Sequence, residues 1–454
     1  MNGAQRSLPL TVQLGWATGE IGVATYIGTT MVFMLYFLTQ AAAIPPVTAG
    51  LILLVPRIWD ALIDPVIGTI SDRTRSRMGR RRPFVIAGTL LLGPLFAAMF
   101  TVPTELSVTA KTLYLTATYL AASTAYSLFD VPYSAMAAEM TTNYAERTVL
   151  VSYKEIAARI GIMAALFGTP AILALRPDLV AGFRLLGTLG AVLIVVTFLL
   201  TLWATRTAPT QPASTEAFDW RSEMQVVLHN RPFRVLWLVF LLQNLAIGAS
   251  STALVYLLTF VMHADVKVTG PLLAVSSVVG IFVTPLWATV SKRTGKRGGY
   301  YLSLAIVAAM ALPVLFLPAG YLVTLFIVLL IAGIGDAGTQ LFSGSMVPDT
   351  VEVEEQRTGR RREGAIFGAW IFCRKLGMAG GAFLVSVGLS LTGFVGGDTA
   401  GNVQSPSALN GIRILYGLLP AALYLLAMLI LTRYDLDKIR HDALRAELAN
   451  TRQY

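Results

Sequence analysis

The stretch Arg57-Ile58-Trp59-Asp60-Ala61-Leu62-Ile63-Asp64-Pro65 decides how this chain is read. An arginine and two carboxylates sit there in the middle of an apolar run from about Pro46 to Ile70. In a bilayer an unpaired charge of this kind costs about 2.5–3.5 kcal/mol on insertion scales. Three of them need a reason. Positions 57, 60 and 64 are spaced i, i+3, i+7, which places them on one stripe of an α-helix where they can share a single polar cavity.

Outward from that stretch, the 454 residues are 55% hydrophobic and 13% charged, whereas a soluble domain carries about 25% charged residues. The sequence is that of an integral membrane protein. Its net charge of +10 does not point to nucleic acid, because the basic residues gather in a few short loops, as membrane topology requires. Cys373 is the only cysteine, which excludes an intramolecular disulfide and a cysteine metal cluster. The three histidines, His229, His263 and His441, are scattered through polar segments and offer no pair for a metal site or proton relay. Residues Met1 to Gln13 lack the layout of a cleaved signal, so the first span is expected to stay. With no Walker-type glycine loop, HExxH or serine-histidine pairing, no enzyme, catalytic residue or cofactor is expected.

A span needs about 20 apolar residues, and the chain divides into about twelve: 14–39, 46–71, 83–103, 110–138, 150–174, 181–204, 233–261, 268–290, 299–318, 320–346, 364–394 and 409–432. The fold class is all-α, in two six-helix halves covering 1–204 and 233–433. A polar linker, 205–232, joins them, and a charged tail, 434–454, ends the chain. The segment Pro65 to Arg73 (PVIGTISDR) reappears as Pro285 to Arg293 (PLWATVSKR), the weak internal repeat that parallel transporter halves leave behind. Lys and Arg concentrate after spans 2, 8 and 10, which by the positive-inside rule puts both termini in the cytoplasm of a multi-pass inner-membrane protein.

Span 4 supplies another acid, in Tyr126-Ser127-Leu128-Phe129-Asp130-Val131-Pro132. Asp130 would be repelled by Asp60 and Asp64 unless a cation or proton sits among them, and this is the recipe for a coupling-ion site. Pro65 and Pro132 cannot hydrogen-bond the carbonyls of Ala61 and Leu128, which become ready ligands for a hard cation. Ser127 adds a hydroxyl one turn before Asp130. The cation group is therefore Asp60, Asp64, Asp130 and Ser127, with the three acids holding the metal if the ion is Na+. Structural pairing of the acids with Arg57, Arg374 or Lys375 is the alternative.

Arg374 and Lys375 in span 11 point about 100° apart, and Lys375 is assigned to the cavity as a counter-charge. Arg57, Tyr126, Asp130, Trp370, Lys375 and Glu20 are the candidate substrate-binding residues. Arg184 and Asp336 are weaker candidates. The arginine-rich loop 72–82 reads either as a topology signal alone or as a gate that includes Asp72, with Arg73, Arg77 and Arg80 pairing with acids such as Glu139 and Asp349 when the inner side closes.

The blocks RIWDALIDP (57–65) and DRTRSRMGRRRPF (72–84), with Asp130-Val131-Pro132-Tyr133, Met346-Val347-Pro348-Asp349 and Thr358 to Gly364 (TGRRREG), resemble the glycoside-pentoside-hexuronide:cation symporters. These are the melibiose-carrier and sodium:galactoside branch of the major facilitators. The resemblance covers nearly the whole chain. It implies twelve helices, alternating access, a cation site at Asp60, Asp64, Asp130 and Ser127, Lys375 near it, and Gln340 and Trp370 facing the substrate.

There are departures from the family pattern. Ala24 stands where the carrier has a sugar-gripping acid, with Glu20 one turn earlier. Ser134 replaces an aromatic, Glu155 an arginine (with Lys154 and Arg159 nearby), and Ile63 a carboxamide. These changes weaken the case for a galactoside and for sodium. The reading is a monomeric symporter that couples Na+ or H+ to uptake of a small polar solute, a sugar or glycoside first. A lysolipid-like amphiphile or an uncoupled facilitator are the alternatives.

Overall fold

A computed structural model describes residues 8–103, 105–141, 144–176, 178–208, 229–359, 362–397, 404–436 and 440. Most of the expected linker and tail, 209–228 and nearly all of 437–454, lies outside the described residues. The chain forms two compact units. The first is Met1–Phe218 with Gly396–Gly401, and the second is Asp219–Val395 with Asn402–Tyr454.

The first unit holds α1 (Leu10–Tyr36), α2 (Pro46–Arg73), α3 (Arg82–Met99), α4 (Val108–Met140), α5 (Tyr144–Leu173) and α6 (Leu179–Ala204). Local signals start these helices where the sequence places them. Pro46 occupies the first turn of α2, where its missing N–H removes nothing. The Ser107 hydroxyl caps α4 through Ala110 N–H, and Asp178 caps α6 through Val180 and Ala181 N–H. Phe37, Phe96, Phe100 and Phe183 interlock as one aromatic cluster with ring centroids 4.9–5.9 Å apart. Helix α5 lies so close to α1 that a Cβ on Gly161 would sit 2.4 Å from the Ile21 carbonyl oxygen.

The second unit holds α7 (Arg231–Tyr256), α8 (Val266–Ala311), α9 (Leu322–Thr358), α10 (Glu363–Leu391), α11 (Pro406–Tyr416) and α12 (Leu418–Leu431). Asn230 caps α7 by accepting from Phe233 N–H at 3.0 Å. Helix α8 is not one rod. Gly295 has φ +69° and ψ 170°, a conformation open to glycine and strained for other residues, and it separates two spans within the same helical run. Helices α11 and α12 are two pieces of a single span, parted at Gly417 because Pro420 has no N–H for the Tyr416 carbonyl.

Among the described residues ten stretches are long and apolar enough to cross a membrane. One of them, Val268–Phe316, contains the Gly295 break and accounts for two expected spans. Helix α4 is also long enough at 33 residues, although its threonines, tyrosines and serines hold its hydropathy down. The architecture is all-helical, with twelve spans among the described residues.

Structure extends the internal repeat well beyond the nine residues legible in sequence. Pro65 and Pro285 lie 220 positions apart inside α2 and α8. At the same offset, α1 and α7 each end in one π-helical turn, Phe37–Ala41 and Leu257–Val261. Each turn is closed by the same pair of bonds: Ala42 N–H to Phe37 O (3.0 Å) with Ile44 N–H to Leu38 O (2.9 Å), and Met262 N–H to Leu257 O (2.9 Å) with Ala264 N–H to Leu258 O (2.9 Å). Between the paired donors a residue other than glycine takes a left-handed conformation, Ala43 at φ 55° and His263 at φ 49°. The two units thus repeat the same unusual cap at the same offset.

Candidate functional site

In the first unit the i, i+3 spacing on α2 produces a tight pair. Arg57 donates to Asp60 Oδ2 at 3.3 Å and also to Thr30 Oγ1 on α1 at 3.3 Å. Asp60 is fully buried, and its other oxygen accepts from the Ser123 hydroxyl of α4. Its charge is thus met from two sides, as a carboxylate removed from water requires. Asp64, one turn further along α2, is half-buried and within electrostatic range of Tyr126. Ser127 is fully buried, and its hydroxyl has no hydrogen-bond partner among the described residues.

Asp130, half-buried on α4, anchors a second network. The Tyr126 hydroxyl donates to Asp130 Oδ2 at 3.0 Å, and Ser134 Oγ lies 3.5 Å from Oδ1. Lys154 Nζ on α5 donates to Ser134 Oγ at 2.9 Å and stands 3.3 Å from Glu20 Oε2 on α1. Three helices therefore contribute to one polar path running Glu20, Lys154, Ser134, Asp130, Tyr126. The ammonium also lies over the rings of Tyr133 and Trp16, 5.3 and 6.0 Å from their centroids. Those rings form a fixed shelf: they stack at 5.2 Å, Trp16 Nε1 donates to the Tyr133 carbonyl at 3.2 Å, and the Tyr133 hydroxyl donates to the Trp16 carbonyl at 2.9 Å.

Among the described residues no three acidic, histidine or cysteine side chains are grouped so as to hold a metal ion. Asp60 is turned to Arg57 and Ser123, while Asp130 is turned to Tyr126 and Ser134. Ser123 was not singled out in sequence, and Lys154 was named only as a neighbour of the aligned Glu155. Ser123 lies one turn before Ser127 and gave no signal apart from that spacing. Lys154 is the inward neighbour of Glu155, and Glu155 is exposed. A 100° step between adjacent helix positions explains why alignment to the family arginine lands one residue away from the side chain that reaches inward.

At the arginine-rich end of the same unit, Glu139 is 8% exposed and receives both Arg80, at 2.7 Å, and Arg81. Arg81 also pairs with Asp72 at 2.8 Å, and an Arg82 nitrogen donates to the Thr205 carbonyl. Arg73 and Arg77 are exposed instead.

In the second unit Trp370 is 8% exposed and stacks on Phe240 with centroids 3.7 Å apart. Gln340 is exposed, Lys375 and Asp336 are half-buried, and Arg374 is exposed. Asp349 pairs with Lys296 at 2.6 Å, within the unit. Arg184, at the start of α6 in the first unit, is exposed.

The family model described as MFS/sugar transport protein matches residues 15–438. The chain is 30% identical to the uncharacterized symporter YnaJ of Bacillus subtilis, covering 98% of this chain and 96% of that one. It is 27% identical to the glucuronide carrier protein homolog of Escherichia coli K12, over 97% and 95% of the two chains. Among solved structures it is similar to the nucleoside transporter NupG, with a TM-score of 0.65, 14% identity, and coverage of 94% of this chain and 100% of that one. The likeness to NupG concerns the fold alone. Twelve helices in a repeated pair of units, carboxylates held within the apolar helices and a match along almost the whole sequence lead to one conclusion: the chain is a multi-pass membrane transporter, not an enzyme, and it belongs to the MFS/sugar transport protein family.

Proposed function

We propose that this transporter is a symporter that couples entry of a cation to uptake of a sugar or glycoside by alternating access. Asp60, Asp64, Asp130 and Ser127 form its cation-binding region, and Glu20, Lys154 and Tyr126 tie that region to the substrate. The observation that carries this reading is the path Glu20–Lys154–Ser134–Asp130–Tyr126 within one unit. A half-buried acid that shares a hydrogen-bonded path with a lysine can exchange a bound cation for a rearranged salt bridge. Occupancy of the acids is thereby felt wherever Lys154 points. The substrate class follows the relatives, whose names include symporters and a glucuronide carrier homolog. Both termini face the cytoplasm of the inner membrane on this reading, as the positive-inside distribution of Lys and Arg supports.

Of the two coupling ions, the proton fits better. Asp60 already has Arg57 and Ser123 for partners, Ile63 supplies no side-chain oxygen between the two acids of α2, and the Asp130 path is made of groups that pass protons. Sodium is the second reading, favoured by the buried Ser127 hydroxyl without a partner among the described residues.

Thermal unfolding of the purified protein tests both, across a panel of neutral sugars, glycosides, hexuronides and lysolipids, with and without Na+ and at two pH values. A ligand that binds the folded state raises the midpoint by mass action. The proton reading expects a sugar-class shift that depends on pH and is indifferent to Na+. Dependence on Na+ at fixed pH selects the second reading, and a response to lysolipids alone would overturn the substrate class.

A further inference from the structure

The basic residues following α2 fall into two sets once each is sorted by what it touches. Arg80, Arg81 and Arg82 are bound to Glu139, Asp72 and the Thr205 carbonyl, where they hold helix ends together. Arg73, Arg75 and Arg77 are exposed and make none of these bonds. Thr74 is extended, with φ −71° and ψ 132°. The three arginines thus follow one another where α2 ends, Arg73 in its last turn and Arg77 in the turn that follows.

The second unit repeats the division. Lys296 is held by Asp349 and the Ser345 carbonyl and Arg297 by the Thr432 carbonyl, whereas Lys292 and Arg293 are exposed. Arg73 and Arg293 stand at the 220-residue offset that relates the two units.

What lies above each exposed set is an apolar stripe that the protein leaves uncovered. On α2, Leu62, Val66 and Ile70 are 54%, 42% and 51% exposed at four-residue spacing, and the stripe runs directly into Arg73. It faces away from Arg57, Asp60 and Asp64, since residues 62 and 66 are each two positions, about 200°, from an acid. On α8, Phe282 and Leu286 are 73% and 62% exposed, and they occupy the same repeat positions as Leu62 and Val66. The track on α2 is about two turns long and ends in exposed cations; the one on α8 is about one turn, because Val290, at the repeat position of Ile70, packs against the core before Lys292 and Arg293 are reached. Sorting of membrane topology explains why positive charge is there. It does not explain why exposed apolar residues on the same repeat positions precede the exposed cations in both units.

We propose that each of these two helix ends seats an anionic phospholipid. In the first unit an acyl chain lies along Leu62, Val66 and Ile70, and the head-group phosphate is taken by Arg73, Arg75 and Arg77. In the second, the chain lies along Phe282 and Leu286, and the phosphate meets Lys292 and Arg293. Cations at a bilayer surface attract acidic lipids with a strength that adds up residue by residue and weakens with salt, and guanidinium forks match phosphate oxygens in pairs.

The experiment uses the full-length protein in mild detergent. Native mass spectrometry counts bound phosphatidylglycerol, and thermal unfolding is followed with phosphatidylglycerol, phosphatidylcholine or inorganic phosphate added at equal concentration. Wild type and two variants are compared, Arg73→Gln/Arg75→Gln/Arg77→Gln and Lys292→Gln/Arg293→Gln, with the unliganded midpoint of each variant as its folding control. The wild type should retain phosphatidylglycerol in preference to phosphatidylcholine and be stabilised by it in a salt-sensitive way. Each basic residue removed should weaken that binding roughly five-fold, and the variants should also lose bound lipid in the count. Equal retention of the two lipids, an undiminished count in both variants, or a shift reproduced by inorganic phosphate would overturn the proposal.

Discussion

At the residue scale, the three acids of the first unit are not equivalent. Asp60 is fully buried between Arg57 and Ser123, and Asp64 and Asp130 are each half-buried. Asp60→Asn and Asp64→Asn should each abolish concentrative uptake while the protein still folds and inserts, which uptake assays alongside thermal unfolding will show. Asp60→Asn also leaves the Arg57 guanidinium short of a counter-charge, so it should be the less stable of the two. The Glu20–Lys154 pair allows a sharper test. Lys154→Ala strands Glu20, and with the pair 22% and 13% exposed the loss should be about 1–2 kcal/mol, below the value for a fully dry pair. Glu20→Gln combined with Lys154→Gln should regain most of that stability and still fail to transport. A double variant that transports normally would remove the pair from the mechanism.

The stripe of Arg57, Asp60 and Asp64 was legible in the sequence because charge inside an apolar run has few bland explanations. Lys154 was not, since a lysine on a helix with polar neighbours looks like any other, and only the fold shows which of Lys154 and Glu155 turns inward.

At the scale of the element, the shared caps of α1 and α7 hold residues in a conformation that glycine adopts without strain. Ala43→Gly and His263→Gly should each raise stability by up to about 1 kcal/mol, seen as a higher unfolding midpoint. Gly295→Ala should do the reverse, lowering stability by about 1 kcal/mol through backbone strain alone, because no heavy atom lies within 4 Å of the position its Cβ would take. These caps were invisible in the sequence, where neither Ala43 nor His263 carries a turn signal. Helix number was readable from hydropathy, yet the break in α8 was not marked by any proline. A single glycine in Arg293-Thr294-Gly295-Lys296 carries it.

On the scale of the whole molecule, the repeat at an offset of 220 residues ties the two units to one plan while their chemistry diverges. The first concentrates Asp60, Asp64, Asp130, Glu20 and Lys154 within its helices. The second offers Asp336, Lys375 and a packed pair, Trp370 on Phe240. That asymmetry is why the coupling ion is assigned to the first unit. In the sequence that proposal rests on the residues of α2 and α4, and the family match along residues 15–438 agrees with the transporter class.

The most direct test of cation-coupled symport is uptake of a radiolabelled sugar, chosen by the thermal-shift panel, into vesicles reconstituted with the protein. A pH gradient, acid outside, is imposed alone, then a sodium gradient alone, then neither. The proton reading predicts accumulation above the external concentration with the pH gradient, its collapse with a protonophore, and no accumulation by Asp64→Asn. Equilibration to the external concentration under every gradient, with Asp64→Asn indistinguishable from wild type, would contradict coupling and leave an uncoupled facilitator.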